Sequence, residues 1–86
     1  MTVHIPSPLR SYTEGARQVQ AEAGRVDELL AVLERHYPGL RFRIIDEQDG
    51  IRTHIKLFVN TQQIRALDTP LRPSDTFHII CALSGG

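Results

Sequence analysis

The chain has 86 residues, enough for one compact domain and one hydrophobic core, with 41% hydrophobic residues. Ten Lys and Arg balance ten Asp and Glu, so no bulk charge draws the chain to nucleic acid or to an anionic membrane, and any charge recognition has to be local. A single cysteine, Cys81, excludes an intrachain disulfide and fits a reducing compartment. The first residues, Met1-Thr2-Val3-His4-Ile5-Pro6, lack a basic region followed by an apolar stretch. No apolar run approaches the ~20 residues that span a bilayer, and a cytoplasmic, membrane-free protein is expected.

In chain order, Val3-His4-Ile5 alternates apolar and polar and stops at Pro6, as a short first strand would. Ser7 to Gly15 contains Pro8 and Gly15 and reads as a turn or loop. Ala16 to Ala23 sets Val19, Ala21 and Ala23 against Gln18, Gln20 and Glu22, the period of a second strand in a hairpin with the first. Arg25 to His36 is the clearest helix: Val26, Leu29, Leu30 and Leu33 form one apolar stripe. Asp27 and Glu28 start it and Arg35 and His36 end it, as the helix dipole favours. Gly24 is the expected N-cap, and Pro38-Gly39 the stop.

Leu40 to Ile45 reads equally as a strand or a short helical turn. Asp46 to Gly50 is a polar turn, and Ile55 to Val59 a strand whose Ile55, Leu57 and Val59 oppose Lys56 and Phe58. A turn at Asn60 to Gln63, a very short strand at Ile64-Arg65, and a loop with Pro70 and Pro73 follow. Ser74-Asp75 turns the chain into a last strand, Thr76 to Leu83, rich in Phe, Ile and Thr. A hairpin, one helix and further strands make an α+β chain: a mixed sheet of four to five strands with one main helix packed on one face. The opposite face is then left for polar residues or for binding.

That order is the β-grasp order. The run Thr76-Phe77-His78-Ile79-Ile80-Cys81-Ala82-Leu83-Ser84-Gly85-Gly86 resembles the end of ubiquitin, and resembles still more the MoaD/ThiS family of small sulfur carriers. Leu57-Phe58-Val59-Asn60 with Ile64-Arg65 resembles the family's central strand and turn, and Ser74-Asp75-Thr76 its acidic turn. The long segment from Tyr37 to His54 is more similar to the MoaD-like and cysteine-pathway carriers than to the shorter thiamine ones.

The resemblance implies a β-grasp domain over residues 1–83 and a flexible Ser84-Gly85-Gly86 tail. It implies a carrier, not an enzyme. The Gly86 carboxylate would be adenylated by an enzyme of the ubiquitin-activating type, which uses ATP, and then converted to a thiocarboxylate. A rhodanese or cysteine desulfurase would supply sulfur, and a biosynthetic enzyme would accept it. Ser84 and Gly85 would give access: glycine lacks Cβ and enters narrow channels, and Ala82 to Gly86 extended reach ~17 Å. Alternative readings of the same pattern are a modifier conjugated through Gly86, or a non-covalent interaction domain.

Leu83, Ile80, His78 and Phe58 are the candidate docking residues. Cys81 alternates with Phe77 and Ile79 and is expected as a small buried hydrophobe. His4, His36, His54 and His78 fit no standard zinc spacing, and no metal or bound cofactor is expected. Arg41, Arg43, Arg52 and Lys56 read as a basic patch offset by Asp46, Glu47 and Asp49, without the aromatic interleaving of a nucleic-acid binder. Ser84 has no His/Asp relay and is not a nucleophile.

Overall fold

The structure, a computed structural model, describes residues 1–82. The chain opens with β1 (Thr2–His4), in which Val3 is buried between two half-buried neighbours. Pro6 removes a donor, yet the ladder runs one step past the strand, with the Ile5 N–H donating to the Arg17 carbonyl. Ser7 to Thr13 forms a 3-10 helix and not the expected loop. Pro8 sits in its first turn, where a missing N–H costs nothing, and Leu9 and Thr13 turn inward. The Thr13 hydroxyl is shared between the carbonyls of Arg10 and Ala16. Left-handed Glu14 and Gly15 then end the helix.

β2 is limited to Gln18–Gln20, shorter than the alternation from Ala16 to Ala23 suggested, and pairs antiparallel with β1. α1 runs Val26–His36 and buries Val26, Leu29, Leu30 and Leu33, the expected stripe. Its N-cap is Arg25, one residue beyond the expected Gly24, and no side chain caps it in the usual way. Two carboxylates supply acceptors instead. Glu28 Oε1 accepts from the Gly24 N–H, and Asp27 Oδ1 from the Glu28 N–H.

The ambiguous stretch is helical: α2 spans Leu40–Ile44, with Leu40 and Ile44 buried one turn apart. The cause lies outside the segment. The Glu34 carboxylate, from α1, accepts from the backbone N–H groups of Gly39 and Arg41, each at 2.9 Å, and so satisfies donors that a helix start leaves open. Gly39 has φ 96°, and a Cβ there would stand 3.0 Å from the Tyr12 ring. Ile45 bridges Ile51 across the Asp46 to Gly50 turn, in which Asp46 Oδ1 accepts from the N–H groups of Gln48 and Gly50.

β3 (Ile55–Val59) and β4 (Gln62–Ile64) form a hairpin. The return strand therefore begins two residues before the expected Ile64-Arg65. Asn60, at φ 56°, turns the chain tightly, and its side chain is fixed on both atoms: Nδ2 donates to Asp75, and Oδ1 accepts from the Thr76 N–H. β5 spans Thr76–Cys81. The expected continuation to Leu83, and the boundary between residues 83 and 84, lie outside the described residues.

The five strands stand in the order β2-β1-β5-β3-β4. β1 and β5 are parallel and every other pair antiparallel, so the sheet is mixed. A parallel pair needs a long crossover, which α1 and α2 provide. Val3, Leu57, Phe77 and Ile79 from the sheet are buried in one core with Val26, Leu29, Leu30 and Leu33 from α1.

Candidate docking face and tail root

The pleat sends alternate residues of each strand to opposite faces. On β5, Phe77 and Ile79 are 0% and 1% exposed, whereas Ile80 is 42% exposed. Register then assembles the outer face. His78 lies opposite His4 on β1 and opposite Phe58 on β3; His4 lies opposite Gln18, and Phe58 opposite Gln63. One row, Gln18, His4, His78, Phe58 and Gln63, thus crosses all five strands. Ile80 lies opposite Lys56 in the next row. The structure brings together three of the four candidate docking residues, Phe58, His78 and Ile80; Leu83 lies outside the described residues.

His4 is the member that sequence spacing missed. Its ring stacks on His78, centroids 4.6 Å apart and planes 4° from parallel. Partial burial, and then the neighbouring His4, hold the His78 imidazole below its ordinary range, so at neutral pH it is an uncharged, flat contact. The only sequence signal for the pairing is that His4 and His78 hold equivalent alternating positions on their strands. The outer positions of these strands are Thr2, His4, Gln18, Gln20, Lys56, Phe58, Gln63, Thr76, His78 and Ile80, and none is a carboxylate.

Cys81, expected as a small buried hydrophobe, is half-buried and packs against the core from the last position of β5. The ladder continues one step further: the Ala82 N–H donates to the His54 carbonyl at 2.7 Å. Ser84, Gly85 and Gly86 lie outside the described residues.

The expected basic patch is dispersed. Arg41 meets Asp49 at 3.4 Å, and Arg43 donates to the Tyr12 hydroxyl and lies over its ring. Lys56 stands on β3, on the outer face. Asp46 caps its own turn, and the Gly50 and Gln48 N–H groups, with a smaller pull from Arg52, hold its carboxyl below the ordinary range and so ionised. An aromatic does interleave, contrary to the sequence reading: Phe42 is 54% exposed, with the Arg52 guanidinium 4.5 Å from its ring centre. One ring already covered by an arginine is not the series of open platforms that single-stranded nucleic acid needs. Among the described residues, no three His, Cys, Asp or Glu cluster as metal ligands, and no helix is long and apolar enough to cross a membrane.

The comparisons agree with this geometry. The ThiS family model matches residues 3–86. The sulfur carrier protein CysO of Mycobacterium tuberculosis is 30% identical over 91 residues, covering 100% of this chain and 98% of that protein. Among solved structures, CysO of Amycolatopsis orientalis, in a complex with BexX, superposes with a TM-score of 0.92 at 31% identity, over 99% of this chain and 98% of that one. The small archaeal modifier protein 1 of Methanosarcina acetivorans superposes with a TM-score of 0.82 at 26% identity, over 99% of this chain and 94% of that one. The fold is the β-grasp, ubiquitin-like fold, and this chain belongs to the ThiS family.

Proposed function

We propose that this chain is a sulfur carrier whose reactive group is the Gly86 carboxylate and whose body serves as a handle for partner enzymes. The observation that carries the reading is the match to a sulfur carrier protein over the whole of this chain and 98% of that one, continuing through residue 86 in the family model. The geometry supports it. β5 is the middle strand of the sheet, and its end at Cys81 and Ala82 immediately precedes in sequence the segment that would carry the chemistry. The row centred on His78, on that strand, and Phe58, on the neighbouring β3, offers a partly apolar face for docking.

In the proposed cycle a carboxylate oxygen of Gly86 attacks the α-phosphorus of ATP held by an adenylating enzyme, and pyrophosphate leaves. The outer sulfur of a persulfide carried by a donor such as a rhodanese or cysteine desulfurase attacks the acyl carbon, and AMP leaves with the C–O electron pair. A thiol reductant cleaves the S–S bond of the acyl disulfide so formed, and the thiocarboxylate remains. A biosynthetic enzyme then takes the sulfur. ATP belongs to the activating partner, and the carrier itself holds no cofactor or metal. We place the protein in the cytoplasm, where ATP and reduced sulfur meet. Between the pathways that use such carriers, the α2-bearing segment from Tyr37 to His54 favours a cysteine-type or molybdopterin-type acceptor.

Incubation with the adenylating enzyme, ATP and sulfide is expected to add about 16 Da to the intact mass, the exchange of one oxygen for sulfur on a carboxylate. An unchanged mass, or the same gain in a chain lacking Gly86, would sink the proposal. The likeness to an archaeal modifier protein favours one second reading, conjugation through the same activated Gly86. That reading predicts ATP-dependent adducts on lysines of other proteins.

A further inference from the structure

Two clefts, of about 320 and 280 Å³, flank the root of the tail and share Pro8 and Cys81 in their linings. One is lined further by Arg43 and His54, the other by Arg10 and His4. Neither is lined by an Asp or Glu, although the whole chain carries as many acids as bases. Arg10 and Arg43 share one arrangement. Each is anchored through Nε, Arg10 on the Ile5 carbonyl at 3.0 Å and Arg43 on the Tyr12 hydroxyl. Among the described residues neither guanidinium meets a carboxylate; the arginine ion pairs are those of Arg25 and Arg41. A guanidinium held by Nε is pre-oriented, with its terminal nitrogens left to form a two-pronged bond to a carboxylate.

From these observations we infer that Arg10 and Arg43 form a cationic collar around the tail root that docks on carboxylates rimming the adenylating enzyme's channel mouth. The inference rests on the carrier reading. An enzyme that takes the Gly86 carboxylate must bring its channel mouth to within the tail's reach of Ala82, ~14 Å for the four residues beyond it. The surface it then meets is the one beside Cys81. A carboxylate rim matches the collar's sign, and aligns the body before the tail enters. The collar is distinct from the sheet face in its elements: Arg10 comes from the 3-10 helix and Arg43 from α2. The two surfaces meet at His4 and Ile80.

The test is ATP–pyrophosphate exchange by the adenylating enzyme, with the full chain as substrate. Arg10→Glu with Arg43→Glu is expected to raise KM about 10-fold and leave kcat unchanged, as loss of two rim charges does. The penalty should shrink in 0.5 M NaCl, where the screening length falls to a few ångströms, about 3–5 Å. Arg43→Lys should lose less than Arg43→Glu. Arg10→Gln with Arg43→Gln, milder for folding, should show a smaller KM rise in the same direction. An unchanged KM in both double variants overturns the collar while leaving the carrier reading intact. A lowered KM also overturns it, and means that the collar holds the chain's own tail carboxylate in check. No exchange with the unaltered chain overturns the carrier reading, and the collar with it.

Discussion

The two faces of β5 differ in what holds their residues in place. Phe77 and Ile79 point into the core, almost wholly excluded from water. His78 and Ile80 point outward, one stacked on His4 and the other exposed beside Lys56. The inner pair is fixed by folding, because its burial supplies the stability of the domain. The outer pair contributes little to folding, and its composition is free to serve a partner. One strand thus separates stability from recognition residue by residue, and variants on its two faces should separate the two properties.

The largest effect is expected on the inner face. Phe77→Ala leaves a cavity in the core beside its strand neighbours Val3 and Val59, and should cost about 3–5 kcal/mol, read as a lowered urea midpoint. A loss below about 1 kcal/mol would mean that the inner face is not the stabilising one. On the outer face, Ile80→Asp should change stability by less than about 0.5 kcal/mol while raising KM in the exchange reaction several-fold. An unchanged KM would remove Ile80 from the docking surface. Between these extremes, Glu34→Ala removes the acceptor for the Gly39 and Arg41 N–H groups and should cost about 1 kcal/mol, the size of a lost helix cap. It tests whether α2 depends on α1.

The smallest effect concerns pH. The His78 imidazole is held below its ordinary range in the folded chain, by partial burial and by His4. The unfolded chain therefore takes up the proton more readily. Stability present above the ordinary histidine range is lost as pH falls through it toward the lower folded value. The melting temperature should drop between pH 7.5 and 5.5, and His78→Gln should flatten that drop. An equal drop in the variant would assign the dependence elsewhere.

What was legible in the sequence follows the same division. The stripe Val26, Leu29, Leu30, Leu33 and the alternation along β3 and β5 state which residues are buried, because burial obeys a local period. The outer row is not local. His4 and His78 meet only because β1 and β5 pair in parallel, and the 73 residues of intervening chain carry no sign of that. α2 was ambiguous for a related reason: its deciding acceptor, Glu34, belongs to another helix. The early start of β4 rests on Asn60, whose side chain reaches Asp75 and Thr76 across the hairpin's end. The tail root was legible as composition alone. Neither the partial burial of Cys81 nor the placement of Arg10 and Arg43 in the clefts beside it follows from any spacing.

The central claim is that the body holds and the Gly86 carboxylate reacts. It is tested most directly by locating the sulfur. After reaction with the adenylating enzyme, ATP and a sulfur donor, fragmentation of the intact chain should place a gain of about 16 Da on the fragment ending in Gly86, as oxygen gives way to sulfur on the carboxylate. A gain of about 32 Da on the fragment containing Cys81, the mark of a persulfide on the thiol, with Gly86 unmodified, would contradict the account.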